Sequence, residues 1–530
     1  MRGAIAVGLW QKNSRPLTLR EGQTEMGRGV NPLPQLLGEG WGGGCAVSAP
    51  SHPELIADRV IPLPSLPQKL GEGKKAPNAI ALPLREGRGG WKILFLSLLT
   101  AAFLALTAPG ASAAVTIERV VSPGGIEAWL VEDHSIPLIA IHLAFRGGTA
   151  ADPAEKNGLA TLVSGLLDEG AGDLDSQSYQ RKLADLSIDL KFDANLDEFR
   201  GSMRTLTQNR DQAFDLLRMA LAQPRFDAEP IERVKGQILT IIASDADDPD
   251  QIAQRVWWQT VFPDHGYGRD PMGAPDTLAR IDQEDLKRFT KDHFARDRMV
   301  IGVVGDISPA ELAPLLDQTF GSLPATGTAA AVPKATLSGA GKTIVIEKPV
   351  PQSVILLGGP GIDRSDPDYY AAAILMDVLG GGFGSRLTRE VREDRGLAYS
   401  IAADLASYDD ASLVLARTAT QNERAKDSIA VIRQVWGELG KDGPTQAELD
   451  DARSYILGSY ALHFTNSLAI ASSLVSLQLD RLPIDYPQQR TALFNKVTLD
   501  DMKRVARRLL DPAVLTWVVV GQPAGLSDAP

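Results

Sequence analysis

The sequence predicts an α+β protein built from two homologous domains of about 210 residues each. Three observations predict it. DLKRFTKDHFARDRMVIGVVG, Asp285 to Gly305, aligns without gaps on DMKRVARRLLDPAVLTWVVVG, Asp501 to Gly521, at an offset of 216. RTLTQN, Arg204 to Asn209, matches RTATQN, Arg417 to Asn422, at an offset of 213, and each opens a helical run. A near-constant offset over this length is the mark of an internal duplication. Strands and helices also come in runs, with little strict βαβ alternation, which is the α+β pattern.

In the first domain, 115–320, GIEAWLVED and LIAIHLAFRGG read as strands with a turn at HSIP. NGLATLVSGLLDEG places Leu159, Leu162, Val163, Leu166 and Leu167 at i, i+3, i+4, i+7 and i+8, an amphipathic helix. LSIDLKFDANLDEFRGSMRTL alternates as an antiparallel hairpin, and MVIGVVGDI closes the half. Residues 321–342 are rich in Ala, Gly, Thr and Pro and form the linker. The second domain covers 343–526. In it an apolar helical run, Tyr369 to Leu379, leads into the glycines Gly380, Gly381, Gly382 and Gly384. Ser385 is placed to cap a short charged helix, Arg386 to Arg395, that Gly396 ends. LAYSIAADLAS then reads as a strand. This layout puts Arg392 on the last helical turn and Tyr399 near the strand's start, so that a guanidinium and a phenol converge.

The first 114 residues differ from the rest. They carry a net charge of +5, which leaves −17 on the remainder of a chain whose total is −12. So acidic a body excludes a phosphate-tracking nucleic-acid binder. Residues 1–88 hold a loose Pro/Gly-dense repeat (NPLPQLLGEGWGG, IPLPSLPQKLGEGKKAP, LPLREGRGGW) with poor hydrophobic periodicity. They read as a disordered leader or as an upstream extension not made in the cell. Residues 89–114 then resemble a true N-terminus: Arg85, Arg88 and Lys92 precede the apolar Ile93–Ala108, and Ala111-Ser112-Ala113 fits a small-residue cleavage site. An apolar core of 16 residues is short for a membrane span. A cleaved secretory signal is expected, the alternative being an uncleaved anchor; either way the body is periplasmic or secreted. Its lone cysteine, Cys45, lies ahead of this segment, so the body has neither disulfide nor thiolate chemistry.

The segment RLTREVREDRGLAYS resembles the C-terminal-domain signature of the pitrilysin/insulinase family of zinc metallopeptidases, which includes the mitochondrial processing peptidases. The resemblance extends over residues 115–525. It implies two α+β domains forming half of a clam shell, and it implies that Arg392 and Tyr399 are the family's arginine–tyrosine pair, acting on a substrate carbonyl. It further implies that the glycine cluster is a loop that a peptide or partner backbone approaches closely, and that peptide can bind by adding a strand to a sheet edge.

The family's metal motif is degenerate here. Members carry His-x-x-Glu-His on the first long helix, with two histidines at i, i+4 for zinc and a glutamate as base. The ligand positions are Thr161 and Gly165, and the base position is Ser164. The region matching the distal glutamate, Gln237 to Ile242, holds no carboxylate. The body's histidines, His134, His142, His265, His293 and His463, form no H-x-x-x-H, and His134 and His142 are expected on two separate strands. Asp245, Asp247, Asp248 and Asp250 depart from calcium-loop spacing and read as a solvated helix end. No cofactor is therefore expected on this chain, with zinc on a partner chain. The glycines lack G-K-[ST], and no G-x-S-x-G elbow occurs, so nucleotide and serine-hydrolase chemistry are excluded. The implied function is the non-zinc-binding subunit of a heterodimeric metalloendopeptidase, with a His-x-x-Glu-His-bearing homologous subunit and peptide or unfolded protein as partners. The alternative is a non-catalytic scaffold or peptide-binding protein of the same fold.

Overall fold

A computed structural model describes residues 116–528. The leader, the signal-like segment and Cys45 lie outside the described residues. No described helix is long and apolar enough to cross a membrane.

Two mixed sheets organise the chain. The first holds β1 (Glu118–Val121), β2 (Glu127–Glu132), β3 (Leu138–Arg146), β6 (Asp189–Ala194), β7 (Glu198–Leu206) and β8 (Met299–Gly305), in the order β1-β2-β8-β3-β7-β6. β4 (Gly170–Ala171) and β5 (Leu174–Asp175) form a small separate ladder. The second sheet holds β9 (Thr343–Glu347), β10 (Gln352–Pro360), β11 (Ala398–Ser407), β12 (Ser412–Gln421) and β13 (Thr516–Gly521), in the order β11-β12-β10-β13-β9. The orders correspond: β8 and β13 each pair parallel to one neighbour, β2 or β9, and antiparallel to the other, β3 or β10. The expected hairpin is β6–β7, antiparallel from Asp189–Arg204 to Ala194–Phe199. Between Phe320 and Thr343 there is neither helix nor strand.

Each half lends a helix to the other's sheet. Helix Pro249–Val261, from the first half, lies on β10 and β13. Its Trp257 is fully buried and donates its indole N–H to the Thr516 carbonyl at 3.1 Å. A Cβ on Gly358 of β10 would stand 2.6 Å from that indole, so only glycine admits the ring. Helix Ser467–Leu479, from the second half, lies on β3 and β8. There a Cβ on Gly302 would stand 2.5 Å from the Ala471 carbonyl oxygen. Arg146, ending β3, donates to the carbonyls of Gln478 (3.1 Å) and Leu479 (2.7 Å), capping that helix's negative end.

One pairing that the sequence left open is seen, and three expectations change. β2 and β3 flank HSIP but do not pair; β8 lies between them. All three are almost wholly apolar, and β8 is central because MVIGVVG buries both its faces. His134 falls in the HSIP turn, held by Asp306 at 2.7 Å and Glu132 at 3.2 Å, while His142 is on β3 as expected. The helix through Leu159 spans only Leu159–Ser164, because Gly165 caps it and a tight turn comes next. The five apolar residues nonetheless all reach the core. The aspartate cluster is not merely solvated: Asp248 accepts from the N–H groups of Asp250 (2.8 Å) and Gln251 (3.2 Å), capping helix Pro249–Val261. Asp247 pairs with Lys348 at 3.0 Å and Asp250 with Arg417, both cations from the second half.

Candidate functional site

Helix Tyr369–Gly380 is anchored in the second core by Ile374, Leu375, Val378 and Leu379. The four glycines after it play two parts. A Cβ on Gly380 would stand 2.6 Å from both the backbone N and the Cβ of Ala403, and one on Gly381 2.6 Å from Asp377. These two permit close packing. Gly382 and Gly384 have open space around them. Below the loop, burial pushes the Asp377 carboxyl up to about 6, and the neighbouring Asp404 charge adds to the shift. At the loop's tip Phe383 is 73% exposed.

Ser385 caps the charged helix: its Oγ donates to the Gly382 carbonyl at 2.7 Å and lies 3.4 Å from the Thr388 N–H. This helix is shorter than expected, and its last six residues, Thr388–Glu393, are wound as a π-helix. The Asp394 N–H accordingly reaches the Arg389 carbonyl at 2.8 Å. Such wide turns are uncommon and occur mostly at functional sites. Leu387 and Val391 bury its inner face. Arg386 forks onto Glu448 at 2.7 and 2.9 Å, and that guanidinium pulls the Glu448 carboxyl down to about 2. Arg424 donates to the carbonyls of Arg395 (2.9 Å) and Gly396 (2.6 Å), and Thr420 to that of Leu397 (2.6 Å). The backbone between Arg392 and Tyr399 is therefore held on both sides.

On this base Arg392 and Tyr399 come together. The guanidinium carbon lies 5.2 Å from the Tyr399 ring centre and 5.2 Å from that of Phe383, within cation–π range. Among the described residues neither Arg392 nor Tyr399 makes an ion pair or a side-chain hydrogen bond. Tyr399 is 77% exposed. The β11–β12 register shifts between Ala398 and Ile401, a bulge that turns Tyr399 outward on an edge strand. Sequence reasoning passed over Phe383. The signal was present: one large aromatic in a run of glycines has no neighbours to bury it.

The degenerate metal positions are also placed. Thr161 Oγ1 donates to the Pro271 carbonyl at 2.6 Å, and Ser164 Oγ to the Thr161 carbonyl at 2.8 Å. At Gly165 a Cβ would stand 2.9 Å from Val234 Cγ1, so an imidazole there must push the Val234 side chain on helix Ala228–Asp245 aside. Facing them, Ile238 is buried in the core. These residues do not fit a zinc ion, whose site needs three or more anionic or imidazole donors. Among the described residues no group of three His, Cys, Asp or Glu could hold a metal. His142 and His293 are buried, which pushes each down to about 4. His265 accepts from the Tyr267 N–H at 3.1 Å and binds the Pro333 carbonyl at 2.8 Å.

A family model described as "Peptidase M16 inactive domain" matches residues 280–456, the segment that contains the glycine loop, Arg392 and Tyr399. A Helicobacter pylori protein named non-peptidase homolog YmxG is 26% identical over 430 residues, covering 81% of this chain and 98% of that protein. An uncharacterized zinc protease of Streptomyces coelicolor is 26% identical over 413 residues, covering 74% and 87%. The crystal structure of a peptidase M16 inactive domain from Pseudomonas fluorescens superposes with a TM-score of 0.73 at 26% identity, covering 78% of this chain and 99% of that one. The structure of a protease from Helicobacter pylori shares the fold, with a TM-score of 0.70 at 19% identity, over 76% and 99%. With a metal motif that cannot hold zinc, the chain carries a peptidase M16 inactive domain around Arg392 and Tyr399 and over most of its length is similar to pitrilysin/insulinase (M16) metallopeptidase homologues.

Proposed function

We propose that this chain is the zinc-free subunit of a two-chain metalloendopeptidase. It forms half of a clam shell, and a homologous chain bearing His-x-x-Glu-His and zinc closes over peptide or unfolded protein. The observation that carries this reading is the Arg392–Tyr399 pair, a guanidinium and a phenol 5.2 Å apart with no other polar engagement among the described residues. Peptide hydrolysis gathers negative charge on the scissile carbonyl oxygen. A phenol O–H and a guanidinium aimed at that oxygen stabilise it, by about 2–4 kcal/mol for a donor of this kind. An extended peptide added along the free edge of β11 runs beside Tyr399. The partner's zinc supplies the activated water.

The two halves descend from one duplicated domain; the gap-free repeats and the corresponding strand orders support this. The body works in the periplasm or outside the cell, after signal cleavage near Ala113. N-terminal sequencing of the native protein tests both points about the leader: a start near Ala114 supports them, and any peptide from residues 1–80 overturns the upstream-extension reading.

The decisive experiment mixes this chain with a His-x-x-Glu-His homologue from the same organism. Cleavage that needs both chains and collapses with Tyr399→Phe supports the subunit reading. Intact cleavage with that variant overturns the role of the pair. The name of the Helicobacter pylori relative, non-peptidase homolog, favours a second reading, a peptide-binding scaffold. A scaffold assembles with its partner, binds peptide and yields no cleavage with either version.

A further inference from the structure

A cavity of about 390 Å³ lies where the β1–β2 turn meets the end of helix Ser467–Leu479, sharing no residue with the Arg392–Tyr399 site. Its lining brings Arg296 and Arg481 together with Trp129, Met299, Leu482 and Glu127. The charges there do not cancel. Glu127 is already paired, with Arg119 outside the lining at 2.6 Å and with the Trp129 indole N–H of the lining at 3.2 Å. Arg296 has no carboxylate partner among the described residues: its Nε is buried without a hydrogen bond, and its Nη1 reaches only the Gly124 carbonyl at 3.5 Å. Arg481 has no side-chain hydrogen bond or ion pair among the described residues, and its neighbour Asp480 is turned to Arg364 at 3.5 Å. Two guanidiniums left over in so acidic a body, facing one half-open cleft with polar and apolar walls, form a receptor for an anion.

The backbone at Arg481 offers a clean substitution. Arg481 sits at φ +56°, the left-handed position that closes a helix, with the Leu482 N–H reaching back to the Leu477 carbonyl at 2.9 Å. Glycine fills this position at no strain; an arginine is strained there. Ser187 closes an earlier helix in the same way at φ +53°, so the conformation gives Arg481 no task by itself but makes glycine its mildest replacement.

We infer that this cavity binds a small organic carboxylate with an apolar body, the chemistry of a peptide's C-terminal residue. The guanidiniums take the carboxylate, while Trp129, Met299 and Leu482 cover the apolar part. The volume falls in the range of small-molecule sites and admits a ligand of one or two amino-acid residues.

The test is calorimetric titration of the purified protein with N-acetylphenylalanine, its amide, 3-phenylpropionate and inorganic phosphate. Saturable binding of the acid, with the amide weaker by at least about tenfold, supports the inference. Tighter binding of N-acetylphenylalanine than of phenylpropionate assigns peptide C-termini; equal binding assigns free carboxylic acids. Arg481→Gly separates function from structure, because it relieves the strained backbone while removing the guanidinium. It should lose at least about tenfold in affinity with no fall in melting temperature, and Arg296→Gln should lose affinity likewise. Equal binding of acid and amide, wild-type affinity in Arg481→Gly, or binding of phosphate alone would overturn it.

Discussion

The Arg392 guanidinium stands 5.2 Å from the Tyr399 ring across a bulged edge strand, and Phe383 flanks it at the same distance on the other side. Everything beneath the three side chains is pinned, by Arg386 on Glu448, by Arg424 on two carbonyls, and by Leu387 and Val391 in the core. Nothing above them is engaged among the described residues.

Removing the pair should therefore change chemistry and leave folding alone. Tyr399→Phe and Arg392→Ala are each expected to melt within about 0.5 kcal/mol of wild type, as surface substitutions do. In the mixed two-chain enzyme each should lower kcat by about a hundredfold or more, as loss of one charge-stabilising donor does. Thermal melts and steady-state rates on the same preparations check both halves of this expectation.

The glycine loop offers a paired test. Gly380→Ala forces a Cβ to within 2.6 Å of the Ala403 backbone and should cost about 1–3 kcal/mol by overpacking. Gly382→Ala meets only open space and should stay within about 0.5 kcal/mol. Denaturant titration of the two variants reads the difference directly.

Asp197 ties the β6–β7 turn to the second half, accepting from the Tyr267 hydroxyl at 2.5 Å and the Asp409 N–H at 2.9 Å. Burial pushes its carboxyl up to about 7. Its folded value thus lies above the unfolded one, near 3.9. Folding takes up a proton between those values, so this group's contribution to stability falls as pH rises from about 4 to 7. Asp197→Asn is expected to flatten the decline in melting temperature between pH 5 and pH 8. An unchanged decline would assign the effect to other groups.

Rebuilding the metal motif should fail. Thr161→His with Ser164→Glu and Gly165→His sets an imidazole against Val234 beside a helix that has already ended, and Gln237 to Ile242 still offers no carboxylate. The triple variant is expected to be less stable than wild type and to bind no stoichiometric zinc, as elemental analysis of the dialysed protein will report.

Much of this architecture could be read from residues alone, because local patterning specified it. Alternation marked β6 and β7, apolar spacing marked the buried face of helix Leu159–Ser164, and Gly396 marked the end of the charged helix. What escaped was non-local. Nothing around MVIGVVG says that it lies between β2 and β3. The aspartates at 245–250 looked like a free helix end because Lys348 and Arg417, about 100 and 167 residues away in sequence, hold two of them. The meeting of Arg392 and Tyr399 was legible as spacing, whereas the π-turn and the bulge that aim them were not, since each depends on tertiary packing.

The exchange of helices between the two halves has a mechanical consequence. With Trp257 buried under one sheet and helix Ser467–Leu479 laid across the other, the covalent connection through residues 321–342 does little to keep the protein together. A protease that nicks this segment should yield two fragments that run separately in denaturing gels yet elute as one particle. Each fragment synthesised alone would keep its own core but bare the sheet face that the other's helix covers. Each half is thus the outer layer of the other's sheet.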